Sequence, residues 1–430
     1  MNLRLALIFV FFTGISQAQT SSYLADLKAL KTVLQKTPSY KDQIKGDKLM
    51  AYDNLYEQLR ADSLNPPTSY HYFYNLSQLL FPLRDNHLAI YQVPDYKIFK
   101  TKEGIEKFVA SQEFAEYPVW HTNLDSLKAV LAQKPAESVE GIYYYDKFYT
   151  VGLFKHTDKE YIGVVLESAI NLWQKGQIAI HLYEQGPNLF KAIYGHPLTK
   201  KFFLYSTEKY KNYTLVNALF YGSYNSTAYS KHLGQVDFVN LPPATPKFQS
   251  KWLNKDIFYI RVGSFQLNQS TRQKSKAFYD TIQNKLTTPN LILDIRNNEG
   301  GAESATRSYR KLLKKYARKG NIYVLINNGT LSQAEIFLLK LKKWKSSTVV
   351  GQTTKGMLTY GSNYGKREKL PSGNLEVYPT DMQGTKKLLQ YEDYGIEPDI
   401  TLTNTTDWID QVVEIIQKKS GTPVLTHITN

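Results

Sequence analysis

Residues 290–336, NLILDIRNNEGGAESATRSYRKLLKKYARKGNIYVLINNGTLSQAEI, constrain the fold more than any other stretch of the chain. Leu291-Ile292-Leu293-Asp294-Ile295 is a short apolar run with the length of one buried strand. Asn297-Asn298-Glu299-Gly300-Gly301 breaks it with residue types that tolerate positive φ. A basic helical stretch follows, and Asn321 to Ile326 reads as the next buried strand. Asn327-Asn328-Gly329-Thr330 closes that strand and Ser332 opens another helix. A glycine turn and a serine therefore sit at equivalent ends of neighbouring strands. In an open α/β sheet, that is the edge at which ligands bind.

The chain of 430 residues is long enough for two or three domains with real cores. A hydrophobic fraction of 42% with 21% charged residues excludes a disordered chain. Residues 1–18, MNLRLALIFVFFTGISQA, have the pattern of a signal peptide. Arg4 gives a positive start, Leu5 to Phe12 an apolar stretch, and Ser16-Gln17-Ala18 a small-residue cleavage site before Gln19. The apolar run is short for a membrane anchor, and no other stretch is long and apolar enough to cross a bilayer. The absence of cysteine excludes a disulfide framework, a thiol nucleophile, cysteine metal sites and a lipidated N-terminal cysteine. Export without disulfides suits a periplasmic or extracellular protein of the bacterial envelope. Net charge is +15. The basic clusters Arg310–Lys319 and Lys340–Lys345 fall on predicted helices and read as solvated faces. An exported chain is not expected to bind nucleic acid, and the charge points to anionic surfaces or acidic substrates.

Along the chain, residues 19–95 read as an N-terminal helical segment. Ser22 to Leu34, Lys48 to Leu59 and Tyr70 to Leu80 have apolar residues at three- and four-residue spacing. Asp85-Asn86 marks a turn, and a strand starts at Leu88, which places His87 at the hand-over. Residues 96–136 connect to a β-rich domain at 137–232. Its aromatic and β-branched runs are Ile142 to Phe154, Tyr161 to Leu166, Gln177 to Tyr183 and Asn188 to Tyr194, with Lys201 to Tyr205 and Thr214 to Phe220 as extensions. A proline-rich linker, residues 233–246, leads to an α/β core at 247–420, with a hairpin at Lys366 to Pro379 and a last helix from Thr406 to Lys418. Residues 421–430 form a tail.

Ser332-x-x-Glu335 before an apolar run is a capping-box pattern, which by itself explains the serine. A serine at a helix start also has a chemical use, because free N–H groups there can stabilise an oxyanion. Gly300-Gly301 is either a plain turn or a place where a bare backbone N–H reaches that oxyanion. There is no GxGxxG and no GxxxxGK[ST], and no metal-ligand spacing, so neither a phosphate cofactor nor a metal is expected. The base for a serine could be His87, beside Asp85, or Lys355 in the turn Gly351-Gln352-Thr353-Thr354-Lys355-Gly356. Glu392 sits in an acidic loop with no local reason to be special.

Taken in order, these pieces resemble the tail-specific (C-terminal-processing) serine peptidases. Leu291 to Gly301 is similar to their "DLRNNxGG" element, and Ser332-Gln333-Ala334-Glu335 to their nucleophile motif. Val349-Val350-Gly351-Gln352-Thr353-Thr354 is similar to "VGxxT", Gly395-Ile396-Glu397-Pro398-Asp399 to "GIxPD", and Leu83 to His87 to "LxDxH". The resemblance covers residues 247–420. It implies an α/β peptidase core of the ClpP/crotonase-like type, with βαβ units around a mixed sheet, joined to the helical segment and an inserted β-rich domain. It also implies a serine-type peptidase that acts on protein or peptide substrates through an acyl-enzyme, with no cofactor. The bacterial branch with a Ser–Lys dyad would have its lysine at Met357, whereas Lys355 stands two residues earlier. The branch similar to the tricorn core uses serine, histidine and glutamate, and these align with Ser332, His87 and Glu392. The expected site is therefore that triad, with Lys355 as the alternative base and N–H groups of Gly300, Gly301 and Gln333 as the oxyanion hole. No peptide-gripping PDZ domain is recognisable. The alternatives are an inactive ligand-, lipid- or glycan-binding protein on the same fold, similar to retinoid-binding modules, and an interaction protein acting through its β unit. Oligomeric state and substrate are not encoded in any motif.

Overall fold

The computed structural model describes residues 22–62, 66–220, 228–234, 236–362 and 365–420. The predicted signal peptide at 1–18 and the tail at 421–430 lie outside the described residues. The chain forms two units. One comprises Met1–Gln235 with Tyr360–Gly384, and the other Val236–Thr359 with Thr385–Asn430.

In the first unit the predicted helices appear at residues 22–36, Asp47–Ala61 and Tyr70–Ser77. Residues 96–136 carry three further short helices, Lys102–Val109, Gln112–Ala115 and Leu124–Ala132. Their starts are set by ordinary caps. Ser69, Thr101, Ser111 and Asn123 have extended backbones, and each side chain accepts an N–H from the first helical turn. The β runs fold into strands Gly141–Tyr145, Tyr149–Lys155, Glu160–Ser168, Ile178–Gly186, Leu189–Gly195 and Phe202–Lys211, each antiparallel to the next. The run Ile142 to Phe154 is a hairpin that turns at Asp146, where φ is +48°. Thr214–Leu215 pairs with both Phe202–Lys211 and Tyr229–Ser230, which in turn pairs with Gly141–Tyr145, so the sheet closes on itself. Closure removes edges, and aromatic side chains such as Tyr143, Tyr145, Tyr149, Tyr194 and Tyr229 fill the interior.

Two expected boundaries move. The β-rich segment is not a separate domain, because its inward residues and those of the N-terminal helices form one continuous apolar core. The hairpin Glu368–Lys369 with Leu375–Tyr378 belongs to this unit as well. Leu375–Tyr378 pairs antiparallel with Ala89–Gln92, Ala89 opposite Tyr378. That pairing joins residues almost three hundred positions apart, and no local pattern records it.

The second unit is built on a six-stranded sheet in the order Phe248–Asn254, Ile257–Val262, Asn290–Asp294, Asn321–Ile326, Ser347–Gly351, Ile400–Thr401. The first pair is antiparallel and the rest are parallel. Helices Gln269–Ile282, Glu303–Tyr316 and Gln333–Leu341 make the crossovers, and Trp408–Ser420 follows the last strand. Both faces are covered. Leu291 and Leu293 pack with Phe278, Leu313 and Phe337 on one side, and Ile292 with Tyr323, Trp408 and Val412 on the other. Double coverage is why these strands read as unbroken apolar runs. The fold is α/β, and the C-terminal ends of the parallel strands lie together at one edge.

Candidate active site

The turn after Asp294 is held by buried polar groups. The Asp294 carboxylate accepts the N–H, Nε and Nη2 donors of Arg296 and the hydroxyl of Tyr259. Arg261 lies beside it and donates to the Arg296 carbonyl. Burial alone would raise the Asp294 pKa. The charges and hydrogen bonds of Arg296, together with Arg261, outweigh burial and hold it below the usual 3.8. The sign follows: ionised Asp294 stabilises the fold above pH 3.8, and that contribution is lost as pH falls through the lower folded value. Arg296→Met is expected to cost about 3–5 kcal/mol at neutral pH, because it strands a buried carboxylate. In denaturant titrations the gap from the parent should narrow in acid, below pH 3.8.

Next, Asn298 bridges the strand ends. Its Nδ2 donates to Val262 O at 2.8 Å, its Oδ1 accepts the Gly300 N–H at 2.9 Å, and its carbonyl accepts the Leu331 N–H at 3.0 Å. The last bond ties the glycine turn to the residue before Ser332. Gly300 has φ +83°, and a Cβ there would lie 2.7 Å from the Gln333 nitrogen. Gly301 has φ +134°, and a Cβ would lie 2.1 Å from the Phe265 carbonyl oxygen. Glycine is thus required twice, once for close approach to the serine turn and once against the neighbouring strand. The Gly300 N–H is committed to Asn298, which removes it from the expected set of oxyanion donors. The N–H groups of Gly301 and Gln333 have no acceptor among the described residues.

Ser332 differs from the chain's ordinary caps. Its backbone is at φ +58°, ψ −124°, where a non-glycine residue is strained by about 1–3 kcal/mol. A residue needed only as a cap has no reason to leave the extended region that Ser69, Thr101 and Asn268 occupy. The capping box is present, with Glu335 Oε2 accepting the Ser332 N–H at 3.0 Å. Glu335 does more than cap. It is fully buried, Oε1 accepts Thr354 Oγ1 at 2.6 Å and Gly356 N–H at 2.8 Å, and Oε2 also accepts Met357 N–H at 3.0 Å. Burial raises its pKa against the pull of these bonds. Its partners in residues 354–357 follow from no spacing rule.

The same loop meets two other expected residues. The Lys355 N–H donates to Thr330 O at 3.2 Å, so its backbone lies against the turn that carries Ser332, and its side chain is half-buried. Glu392 is fully buried and accepts the N–H groups of Leu358 at 3.0 Å and Thr359 at 2.9 Å. His87 belongs to the first unit. There buried Asp85 accepts the N–H groups of His87 and Leu88, both at 3.2 Å, and the Thr380 hydroxyl at 2.7 Å. Asp85 therefore fixes the turn that presents His87. Among the described residues, no cluster of three His, Cys, Asp or Glu side chains could hold a metal ion. No helix among them is long and apolar enough to cross a membrane.

The sequence model of Peptidase family S41 matches this chain over residues 256–315 and 302–402, which span the glycine turn, Ser332, Glu335, Lys355 and Glu392. A chloroplastic C-terminal processing peptidase of Tetradesmus obliquus is 28% identical, in an alignment covering 35% of this chain and 40% of that protein's length. A putative peptidase from Parabacteroides merdae is similar at 14% identity and a TM-score of 0.37, covering 92% of this chain and 96% of the other. A photosystem II D1 C-terminal processing protease is similar at 15% identity and a TM-score of 0.37, covering 94% and 99%. Over residues 256–402 the chain is thus similar to the tail-specific peptidases of family S41, and it spans less than half the length of the curated relative it matches.

Proposed function

We propose that the chain is an exported serine-type peptidase, periplasmic or extracellular, which cleaves peptide bonds of protein substrates through an acyl-enzyme on Ser332. The observation that carries this reading is the Ser332 backbone, strained at the start of a helix beside two unengaged N–H groups. Ser332 Oγ attacks the scissile carbonyl carbon while His87 takes its proton. The amine leaves with that proton, and water then releases the acyl group by the same route. Glu392 orients His87, with Lys355 as the alternative base. The Gly301 and Gln333 N–H groups hold the negative oxygen. The parallel sheet with its antiparallel edge supports a core of the ClpP/crotonase-like type. The test is labelling with a fluorophosphonate probe. The folded protein is expected to be labelled at Ser332, and Ser332→Ala to abolish labelling. Unchanged labelling of the alanine variant would remove Ser332 as nucleophile, and an unreactive folded parent would favour a ligand-binding protein on this fold.

A further inference from the structure

We propose that Arg307, Lys311, Lys314 and Arg318 form an exosite that holds an acidic stretch of the protein substrate. The inference deepens the peptidase reading and rests on it for the identity of the partner. Arg307, Lys311 and Lys314 lie at i, i+4 and i+7 of the helix Glu303–Tyr316, and so make one row on its face, which Arg318 continues two residues beyond the helix end. All except the helix's buried face is solvated, and these four side chains are exposed. Among the described residues, none of the four has a carboxylate within ion-pair distance. Some surface lysines elsewhere do find one, as Lys128 does with Glu167, Lys201 with Glu113 and Lys276 with Asp280. Successive like charges at this spacing weaken a helix. Basic residues near a helix C-terminus complement its dipole, which accounts for Lys314. Arg307 and Lys311 lie in the first half, where the dipole gives no such reason.

A second feature continues the row. Lys314 and Arg318 share a surface cavity of about 270 Å³ with Lys345, Ala317, Ser346 and the indole of Trp344. Three cations around an aromatic floor suit a side chain that is acidic or has an apolar body with an acidic tip. The row is about 16 Å long at 1.5 Å per residue, and an extended peptide would span it with about five residues. Its near end, Arg307, follows the Gly301 turn by little more than one helical turn, and that turn packs against Ser332 and Gln333. An extended polypeptide leading away from the serine is therefore the polyanion that best fits both ends.

The experiment uses the full chain with Ser332→Ala, so that nothing is cleaved. A fluorescein-labelled ten-residue peptide with glutamate at alternate positions is titrated by anisotropy, beside its glutamine counterpart. The acidic peptide is expected to bind roughly tenfold more tightly or better at low salt, with the advantage fading as salt rises. Changing Arg307, Lys311, Lys314 and Arg318 together to Gln should remove that advantage, without lowering the thermal midpoint. Changing the exposed Lys45, Lys48, Lys97 and Lys100 to Gln, an equal loss of charge, should leave it in place. Equal losses in the two variants would overturn the exosite, as would equal affinity for the two peptides. Tighter binding of a short DNA duplex than of the acidic peptide at the row would overturn its assignment to substrate. Probe labelling is read separately, so failure of the serine chemistry and failure of the exosite give different results.

Discussion

Glu335→Ala is expected to lower folding stability by about 4 kcal/mol or more and to abolish probe labelling at Ser332. The variant strands three backbone N–H groups, those of Ser332, Gly356 and Met357, and the hydroxyl of Thr354. Each buried donor left without an acceptor costs about 1–3 kcal/mol, and alanine leaves a cavity where the carboxylate was. The damage would not stay local. Thr354 Oγ1, held by Glu335, accepts the Ile396 N–H at 2.7 Å, and a Cβ on Gly395 would lie 2.2 Å from Thr354 O. The strained Ser332 backbone depends on what surrounds it, and Glu335 is one of its fixed points. Glu335→Gln keeps the volume but turns an amide N–H₂ toward donors, so it should recover part of the stability and less of the labelling. Urea titration and probe labelling read the two effects. An unchanged urea midpoint with full labelling in Glu335→Ala would show that the serine turn holds itself.

The same network explains what the sequence disclosed. The motifs at Asp294–Gly301, Ser332–Glu335, Gly351–Thr354 and Gly395–Asp399 are scattered in the chain but joined in space. Asn298 O meets Leu331 N–H, Glu335 meets Thr354 and Gly356, Thr354 meets Ile396, and Asp399 Oδ2 accepts the Val349 N–H at 2.8 Å. The first three motifs follow the C-terminal ends of parallel strands, and Gly395–Asp399 leads from beside Thr354 into the last strand. Apolar runs such as Leu291–Ile295 were readable because both faces of their strands are buried. The capping-box spacing was readable, and the box is present at the start of Gln333–Leu341. The positive φ of Ser332 was not, because serine carries no local preference for that region and only tertiary contacts hold it there. Nor could spacing show that Asn298 occupies the Gly300 N–H. The pairing of Leu375–Tyr378 with Ala89–Gln92 and the closure of the β strands are long-range ladder bonds. They arise from shape and register, which local composition does not record.

His87→Ala is expected to reduce turnover of a casein-like substrate by about 10⁴-fold or more, and Lys355→Ala to leave it within about threefold. In the proposed triad the serine needs a base that is neutral at working pH. An imidazole meets that condition without special surroundings. A lysine meets it only when stripped of water, and Lys355 is half-buried rather than fully buried. At the place where a dyad lysine would stand, the chain has Met357, whose N–H is spent on Glu335. Asp85 supports the histidine from behind, since its buried carboxylate binds the His87 and Leu88 N–H groups and the Thr380 hydroxyl, and fixes the turn. Glu392→Gln requires a second readout. Glu392 also accepts the N–H groups of Leu358 and Thr359, so its loss disturbs the fold as well as any histidine it orients. A thermal midpoint close to the parent's with turnover down by about 10²-fold or more would mark Glu392 as a positioning residue, whereas parallel losses would mark it as structural. Loss of turnover in Lys355→Ala with full turnover in His87→Ala would replace the triad by a Ser332–Lys355 dyad. That result would leave the nucleophile, Glu335 and the two N–H donors in their proposed roles, because all of them are set by contacts within the second unit.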